Sequence, residues 1–597
     1  MIESCCGLDC PDACEFSVAE YGTPKLIAKT TNNTLCSLLN KEFFEMPRIE
    51  KPTIDGREVS LEEALESVAL ALKEKSLLWR GSGNFGVMNE VTNLLFEQID
   101  GTLTKGSLCD GAGNAGILEG RGINRILPIE QIQKAEVVIV WGRNISTTNS
   151  HLMPHLEGKK IVVIDPISTP IAKKADLHIQ IAPRSDIYLA LILSRFIFME
   201  DSEAKEWMDE YASEYEEFYD FTRTFRIKAI LEYLGLSLGD MGELVSYLKS
   251  EKVVILVGIG VQKNSIGHSV LHAIDSLAVT LGLFGKEGCG VGYFGDSKLG
   301  FENPFAVQTP RVSKVNTPFK EFQTVVIQGG NPAESMPNSC RVQEELESVE
   351  TLIYFGLYHN ETSKRAKIVI PAKSFLEKKD IRLSYTDHRV SPMNPIMETN
   401  RGISEYEFVR ELSNRLNLTQ PKEEQEYLDI WFNQCQKREN TLLSPAWEAL
   451  PYHDGFGKER EDEFLFIDDF EDYFQEIKQL RRYRKSKSKK AQQKEYWLIT
   501  AKAKNALNTQ FRRDNSVQLH PDLGYKENQE VRVSSSYGSH LFVIKHNKNL
   551  RVDCVLITAN TLGVNMLTPD TLSQEGEGAC YQDIKVTINT NETKETL

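Results

Sequence analysis

The chain has 597 residues, 41% of them apolar and 26% charged, which is typical of a soluble globular protein with three or four domains. Its net charge of −16 argues against broad nucleic-acid binding. No apolar stretch approaches the ~20 residues of a membrane span, and the N-terminus lacks the basic and apolar regions of an export signal; we therefore expect a cytoplasmic protein without a direct membrane span.

Residues 1–50 form a cysteine-rich unit whose spacing predicts a metal site. The pattern C-x3-C-x3-C-x21-C is typical of an iron–sulfur cluster because thiolates are soft, anionic donors. It is formed by Cys6, Cys10, Cys14 and Cys36. A zinc site and cysteines that merely line a helix are alternatives, although Gly7 and Pro11 disfavour a regular helix. Cys5 competes with Cys6 as the first ligand, and spacing alone does not decide between them.

Residues 51–420 predict parallel α/β domains of Rossmann-like type. An apolar face indicates a helix over 61–75, and five short apolar runs then read as buried parallel strands. The runs cover residues 137–142, 161–165, 253–258, 325–329 and 352–356. Their ends carry Gly, Asp and Asn residues, and ligands of open α/β sheets lie at such strand ends.

Between the first helix and these strands lies a segment rich in glycine. It contains a literal G-x-G-x-x-G at Gly111, Gly113 and Gly116, but the preceding residues 101–105 predict a poor strand, which argues against a dinucleotide-binding turn. Cys109 is the residue of greater interest here. At the start of a glycine-rich helix its thiolate would be stabilised by backbone N–H groups, which suits a nucleophile or a metal ligand, although a single cysteine is more often simply buried.

The last third of the chain changes character twice. Residues 421–494 are charged and aromatic, and they predict helix followed by a linker that contains a basic run over 481–490. From residue 495 to 597 many short alternating strands with Gly and Asn turns predict a small β-barrel.

Taken in order, these motifs resemble the prokaryotic molybdopterin oxidoreductases of the dimethyl sulfoxide reductase superfamily. The resemblance runs from Cys6 to about Val586. It implies a multidomain α/β fold with an N-terminal 4Fe–4S domain and a C-terminal dinucleotide-binding barrel of the double-psi type. It also implies a 4Fe–4S cluster, held by the four cysteines, and molybdenum or tungsten on two molybdopterin guanine dinucleotides.

The resemblance assigns roles to individual residues. Cys109 falls where the family places its metal-ligating side chain and is therefore the candidate catalytic residue. Asp165 and Asp186 are candidate acceptors for guanine and ribose. The candidate cofactor-binding residues are Gly142, Asn144, Asp165, Pro166, Ser185, Asp186, Gly258, Gly260, Gln262, Asn331, Pro332 and Asn565.

Two departures bear on the chemistry that the resemblance implies. A basic residue commonly follows two positions after the fourth cluster cysteine, but here Leu38 stands there and Lys41 is the nearest base. A cysteine ligand goes with formate dehydrogenases, with some nitrate reductases and with polysulfide or thiosulfate reductases. Asp110 stands where formate dehydrogenases typically carry His, which weighs against formate oxidation.

We therefore expect an oxidoreductase that passes electrons between a small-molecule substrate at the metal and an external carrier or iron–sulfur partner subunit, through the cluster. The alternative is an electron-transfer or structural subunit without metal or pterin, similar to the large peripheral subunit of complex I. A zinc-bearing NAD enzyme is a third, weaker reading. No nucleic acid is expected as a partner.

Overall fold

Two sheets built mainly from parallel strands organise the middle of the chain. The computed structural model describes residues 1–590 except 24, 214, 225, 400, 458–460, 468–493 and 505. The larger sheet has eight strands, the first six parallel and the last two antiparallel. In spatial order they are Arg311–Ser313, Thr102–Lys105, Ser76–Arg80, Thr324–Gln328, Thr351–Gly356, Ile368–Pro371, Thr53–Ile54 and Arg57–Glu58.

The second sheet has five strands, all parallel. In spatial order they are Leu177–Ile179, Lys160–Ile164, Val137–Trp141, Val253–Val257 and Gly290–Gly292. All five apolar runs found in the sequence are strands of these two sheets, so that prediction is confirmed. The runs are continuous rather than alternating because both faces of each sheet are covered.

Helices cover both faces of each sheet and bury alternate side chains of every strand. On the five-stranded sheet, Ile139 and Val162 face one core and Val138 and Val163 face the other. The α-helices are Phe43–Glu45, Leu61–Ala71, Thr92–Gln98, Gly111–Arg121, Ile129–Lys134, Ile145–Thr148, Asp186–Met199, Lys205–Tyr211, Tyr215–Thr224, Ile227–Leu234, Leu238–Leu248, Gly267–Thr280, Pro332–Ser335, Ser339–Ser348, Glu405–Arg415 and Glu424–Asn433. Among the described helices, none is long and apolar enough to cross a membrane.

Smaller sheets complete the N-terminal and central parts. The first cysteines lie beside an antiparallel sheet of Ile2–Cys5, Glu15–Val18 and Ile27–Ala28. A four-stranded antiparallel sheet consists of Asp380–Leu383, Arg389–Met393, Thr441–Leu443 and Gln436–Arg438. Two-strand pairs join Ala212–Ser213 to Phe464–Leu465 and Ala506–Leu507 to Gln510–Phe511.

The C-terminal part forms a closed barrel of six strands around its own apolar core. Around the barrel the strands are Glu495–Ile499, Cys554–Leu556, Ser516–Leu519, Ser539–His546, Glu530–Ser534 and Lys585–Thr590. The prediction of a β-barrel from residue 495 is confirmed, as is a multidomain α/β fold. The double-psi topology, the cluster domain and the domain boundaries stay predictions.

Two expectations about local structure need correction. The sequence predicts a poor strand over residues 101–105, but Thr102–Lys105 is a parallel strand. It pairs with a strand on each side, and this pairing stabilises it although its own sequence is short and polar. Residues 421–494 contain the expected helix, but also three short strands, two of which extend the four-stranded sheet. The basic run at 481–490 lies outside the described residues.

The glycine-rich helix Gly111–Arg121 packs closely against the helix Gly267–Thr280. A Cβ at Gly116 would overlap the carbonyl group of His268, so only glycine permits this backbone approach. A fully buried ion pair joins the same two helices, with Arg121 Nε donating to Asp275 Oδ2 at 2.7 Å. The G-x-G-x-x-G pattern thus has a packing role in this helix.

Replacing Gly116 by alanine tests this packing. We expect Gly116→Ala to destabilise the protein by about 1–3 kcal/mol, as overpacked cores do, because backbone atoms cannot rotate away from the new methyl group. The midpoint of thermal unfolding measures the effect. Gly242→Ala is the matched control, because Gly242 lies within helix Leu238–Leu248 with nothing within 4 Å of a Cβ. That change should be neutral or stabilise by roughly 0.5–1 kcal/mol; equal losses in both variants would contradict the assignment.

Candidate functional site

The structure brings the four predicted cluster cysteines into one region. Desolvation raises the pKa of each thiol, that of Cys10 to about 12, and neighbouring thiols raise the pKa of Cys6, Cys10 and Cys14 further. Cys14, for example, is affected by all three of its predicted partners. Within the described residues, however, no three His, Cys, Asp or Glu side chains are grouped as ligands of one metal ion.

Cys5 and Cys6 point into different surroundings. Cys6 shares its electrostatic neighbourhood with Cys36 and Cys10. Cys5 is completely buried, and its thiol lies 3.4 Å from the Ala13 carbonyl oxygen. Its pKa is raised to about 12 by burial, and its main charged neighbours are arginines and a glutamate rather than thiols. The structure thus groups Cys6, not Cys5, with the other three cysteines.

The cysteine loop is fastened to the segment that follows strand Val137–Trp141. The Asp12 carboxylate accepts hydrogen bonds from the Asn149 amide at 2.7 Å and from the Ser150 backbone N–H at 3.1 Å. Next to it, His151 Nε2 lies 3.3 Å from the Cys14 sulfur. Sequence reasoning missed Asp12 and His151, because neither spacing nor residue type links positions so far apart in the chain.

Cys109 lies between the end of strand Thr102–Lys105 and the start of helix Gly111–Arg121. Its side chain is open to solvent, yet the surrounding protein is dense enough that desolvation raises the pKa of the thiol to about 11. Asp110 raises this pKa as well, whereas the ammonium groups of Lys263 and Lys502 lower it. The two ammonium groups favour the thiolate, the form that binds metal, against the larger opposing effect of desolvation.

Gln262 holds the turn that carries Cys109. Its Nε2 donates to the Cys109 carbonyl oxygen at 2.6 Å, and its Oε1 accepts from the Gly113 N–H at 3.0 Å. Lys263 also donates from Nζ to the carbonyl oxygen of Leu108. Two residues singled out in the sequence, Cys109 and Gln262, are therefore in direct contact.

Lys502 is another residue that the sequence did not identify. It follows the first barrel strand, and its charge acts on the thiols of both Cys10 and Cys109. The pKa of Lys502 itself is shifted by desolvation, which lowers it, and more strongly in the other direction by Asp9 and the two thiols together, so the net change is upward. A positive charge thus acts on both Cys10 in the cysteine loop and Cys109, although Leu38 supplies none.

The predicted cofactor residues of the five-stranded sheet lie together at its carboxyl edge. A Cβ at Gly258 would overlap the Gly142 carbonyl group, and one at Gly260 would lie 3.2 Å from the same oxygen. Asn144 follows in the same turn as Gly142, and its side-chain oxygen accepts from the Ser146 hydroxyl at 2.8 Å. These residues form a compact edge made mainly of backbone groups.

Two buried carboxyl groups flank this edge. Burial raises the pKa of Asp165 to about 7 and that of Asp186 to about 6, and Asp186 raises the pKa of Asp165 further. Asp165 accepts from the Ile167 N–H, one residue beyond Pro166, and Asp186 accepts from the Trp141 indole at 2.8 Å. Ser185 is fully buried, and its hydroxyl donates to the Ala182 carbonyl oxygen at 2.5 Å. Asp165 and Asp186 are neighbours, and their role as acceptors for guanine and ribose stays a prediction.

The remaining predicted residues lie where the eight-stranded sheet meets the barrel. Asn331 Oδ1 accepts from the Thr362 hydroxyl at 3.0 Å, and Pro332 begins helix Pro332–Ser335. Asn565 Nδ2 donates to the Glu334 carbonyl oxygen at 2.6 Å. The structure thus separates the candidate residues into two groups, one at the edge of each parallel sheet, with Cys109 and Gln262 joining the sheets.

Comparisons with known proteins identify the family of the chain. The model of the molybdopterin oxidoreductase family matches residues 48–415. The probable oxidoreductase YyaE of Bacillus subtilis is 24% identical over 493 residues, covering 74% of this chain and 73% of its own. The alpha subunit of the F420-dependent formate dehydrogenase of Methanocaldococcus jannaschii is 24% identical over 370 residues, 54% of this chain and 53% of its own.

A solved structure shares the fold over the whole chain. The acetylene hydratase of Pelobacter acetylenicus superposes with a TM-score of 0.75, at 14% identity, over 99% of this chain and 100% of that one. The resemblance inferred from the motifs is confirmed by the family match, which spans more than half of the sequence. The chain belongs to the molybdopterin oxidoreductase family.

Proposed function

We propose that this molybdenum or tungsten oxidoreductase belongs to the cysteine-ligated class, with Cys109 as the protein ligand of the metal and a 4Fe–4S cluster as the route for electrons. The observation that carries the proposal is the position of Cys109. Its solvent-accessible thiol lies beside Lys263 and Lys502, on a turn that Gln262 holds between the two parallel sheets. The alternative function, a subunit without metal, does not require an accessible thiol at this position.

The donor set at the N-terminus suits an iron–sulfur cluster. Cys6, Cys10 and Cys14 lie near one another and near the exposed Cys36, and their thiols interact electrostatically. Burying several thiolates together is unfavourable unless a cationic group compensates them, and a cluster supplies that compensation. Cys6, Cys10, Cys14 and Cys36 would hold it.

The two sheet edges suit a pair of pterin dinucleotides. Gly142 and Gly258 hold two strand ends in close backbone contact with no side chain at either position, and pyrophosphates bind main-chain N–H groups at such glycine-rich strand ends. The Tyr293 hydroxyl, buried beside Gly113, has no hydrogen-bond partner among the described residues. A polar atom of a bound group would satisfy it. The guanine dinucleotide form rests on Asp165 and Asp186 as acceptors.

The bound metal would supply two-electron redox chemistry, and the chain's own residues would prepare the site for it. Lys263 and Lys502 favour the thiolate form of Cys109 by their charge, which is the form that binds metal. Gln262 fixes the carbonyl group of Cys109 and so the direction of its side chain. Lys502 adds a positive charge that acts on the thiols of both Cys10 and Cys109. The electron partner and a cytoplasmic location stay predictions.

Metal analysis of the purified protein tests the proposal. We expect about one Mo or W and about four Fe per chain after expression in a host that makes pterin cofactors.

Cys109→Ser should lose most of its turnover with an artificial electron carrier, because an oxygen ligand replaces sulfur at the metal. Cys435→Ser is the matched control. Cys435 is half-buried, and its thiol donates to the Trp431 carbonyl oxygen at 3.4 Å. Full turnover of Cys109→Ser, or protein without Mo and W, would contradict the proposal.

His151 gives a separate test of the cluster. A thiolate carries no hydrogen, so the contact at 3.3 Å requires His151 Nε2–H to donate to Cys14. Hydrogen bonds to sulfur raise the reduction potential of a cluster. If the bond contributes about 1.5 kcal/mol, His151→Ala should lower that potential by roughly 60 mV for one electron.

A redox titration followed by low-temperature electron paramagnetic resonance measures this potential. His155→Ala is the control, because His155 lies in the same short segment with its ring turned to Gln133 at 2.9 Å. Iron content confirms that the variants retain the cluster. An unchanged potential in His151→Ala at full iron content would refute the hydrogen bond.

A further inference from the structure

A hairpin from the second half of the chain holds the loop that carries Cys10. Its strands, Asp380–Leu383 and Arg389–Met393, pair antiparallel, and its side chains reach three successive carbonyl groups of the loop. Arg382 Nη2 donates to the Cys10 carbonyl oxygen at 2.9 Å, the Thr386 hydroxyl to that of Pro11 at 2.9 Å, and Arg389 Nη2 to that of Asp12 at 3.2 Å. The position of this predicted cluster ligand therefore depends on contacts far away in the sequence.

The two arginines of the hairpin differ in their charge partners. Arg389 forms an ion pair with Asp387, from Nε to Oδ2 at 2.7 Å. Arg382 is only 1% exposed, and no carboxylate in the described part of the chain pairs with it. Its guanidinium carbon instead lies over aromatic rings, 4.1 Å from the centre of Phe85 and 5.5 Å from that of Tyr385. Burying a cation without a counter-charge is strongly unfavourable, and the chain alone leaves this charge uncompensated.

Two N–H groups of Arg382 are also unpaired. Nε and Nη1 have no hydrogen-bond partner among the described residues, although buried donors of native proteins nearly always have one. Burial raises the pKa of the Cys5 thiol to about 12, and Arg382 is the charge that most opposes this rise. Burial and Asp9 raise the pKa of Tyr385, which Arg382 lowers and the Cys10 thiol raises. Arg382 therefore combines unpaired donors with a charge that acts next to the predicted cluster ligands.

We propose that Arg382 is a positioning residue of the iron–sulfur site, which fixes the Cys10 carbonyl group and raises the reduction potential of the cluster. The inference rests on the proposed function for the presence of the cluster. A 4Fe–4S cluster with four thiolate ligands carries a net negative charge, and one electron from the external carrier or the metal site makes it more negative. A buried cation nearby therefore stabilises the reduced form more than the oxidised form. Arg382 would supply charge that Leu38, two positions after Cys36, does not.

Variants of Arg382 in the holoprotein test this role. Arg382→Gln keeps a donor for the Cys10 carbonyl oxygen but removes the charge, and Arg382→Met removes both. In each, the ratio of reduced to oxidised cluster at a fixed potential should fall by about tenfold, which lowers the reduction potential by about 59 mV for one electron. Arg382→Lys retains a cation and should return the potential most of the way to that of the wild type. A redox titration followed by low-temperature electron paramagnetic resonance measures the potential, and iron content is measured on the same samples.

Lys29→Gln is the matched control, because it removes one cation from the same N-terminal part of the fold. Lys29 is exposed and paired with Glu3, so solvent screens its charge. The reduction potential of the cluster in this variant should equal that of the wild type.

The proposal is overturned if a neutral variant of Arg382 that retains full iron content has the potential of the wild type, or if Arg382→Lys shifts the potential as far as Arg382→Gln. Loss of iron from both neutral variants, with retention in Arg382→Lys, would support it, since a cation alone then restores the site. Loss of iron from all three variants would overturn it. Wild-type protein without iron would instead reject the proposed function, and this inference with it.

Discussion

The bridge from Gln262 to the Cys109 turn is the constraint on which the site depends. One side-chain amide spans the Cys109 carbonyl oxygen and the Gly113 N–H, and it belongs to the segment that follows strand Val253–Val257. Cys109 itself follows a strand of the other parallel sheet. The bridge thus fixes the position of an accessible thiol relative to both sheets, and everything proposed for the metal requires that position.

Glycines allow the close backbone contacts around this bridge. Gly142 and Gly258 approach each other within the five-stranded sheet, and Gly116 lets the helix that begins after Cys109 pack against its neighbour. The C-terminal barrel then closes the junction, because Asn565 bonds to Glu334 and Lys502 reaches the surroundings of Cys109. A site assembled in this way draws candidate residues from both ends of the chain.

Much of the fold could be predicted because its strands carry a strong local signal. Short continuous apolar runs such as 137–142, which end in glycine, are typical of parallel strands that are buried on both faces. Thr102–Lys105 was missed because its four residues gain their stability from pairing with two flanking strands rather than from their own composition. The general arrangement of the barrel was predictable from alternation, whereas its exact strand order depends on pairings between distant residues.

The candidate site, like the fold, could be predicted only in part from the sequence. Cysteines and glycine-rich strand ends were identifiable because residue type and spacing carry their chemistry. His151 and Lys502 were not, since each acts through a contact across the fold that leaves no periodic trace. Lys502 also bears on the departure at Leu38: no base stands two positions after Cys36, but the charge of Lys502 acts on the thiols of both Cys10 and Cys109.

The central claim is that the Cys109 sulfur is bound to the metal. X-ray absorption at the Mo or W edge tests it most directly, by comparing the holoprotein with Cys109→Ser at equal metal content. The account predicts that the variant has one sulfur neighbour fewer at the metal and one oxygen neighbour more. Identical spectra for the two proteins would contradict it.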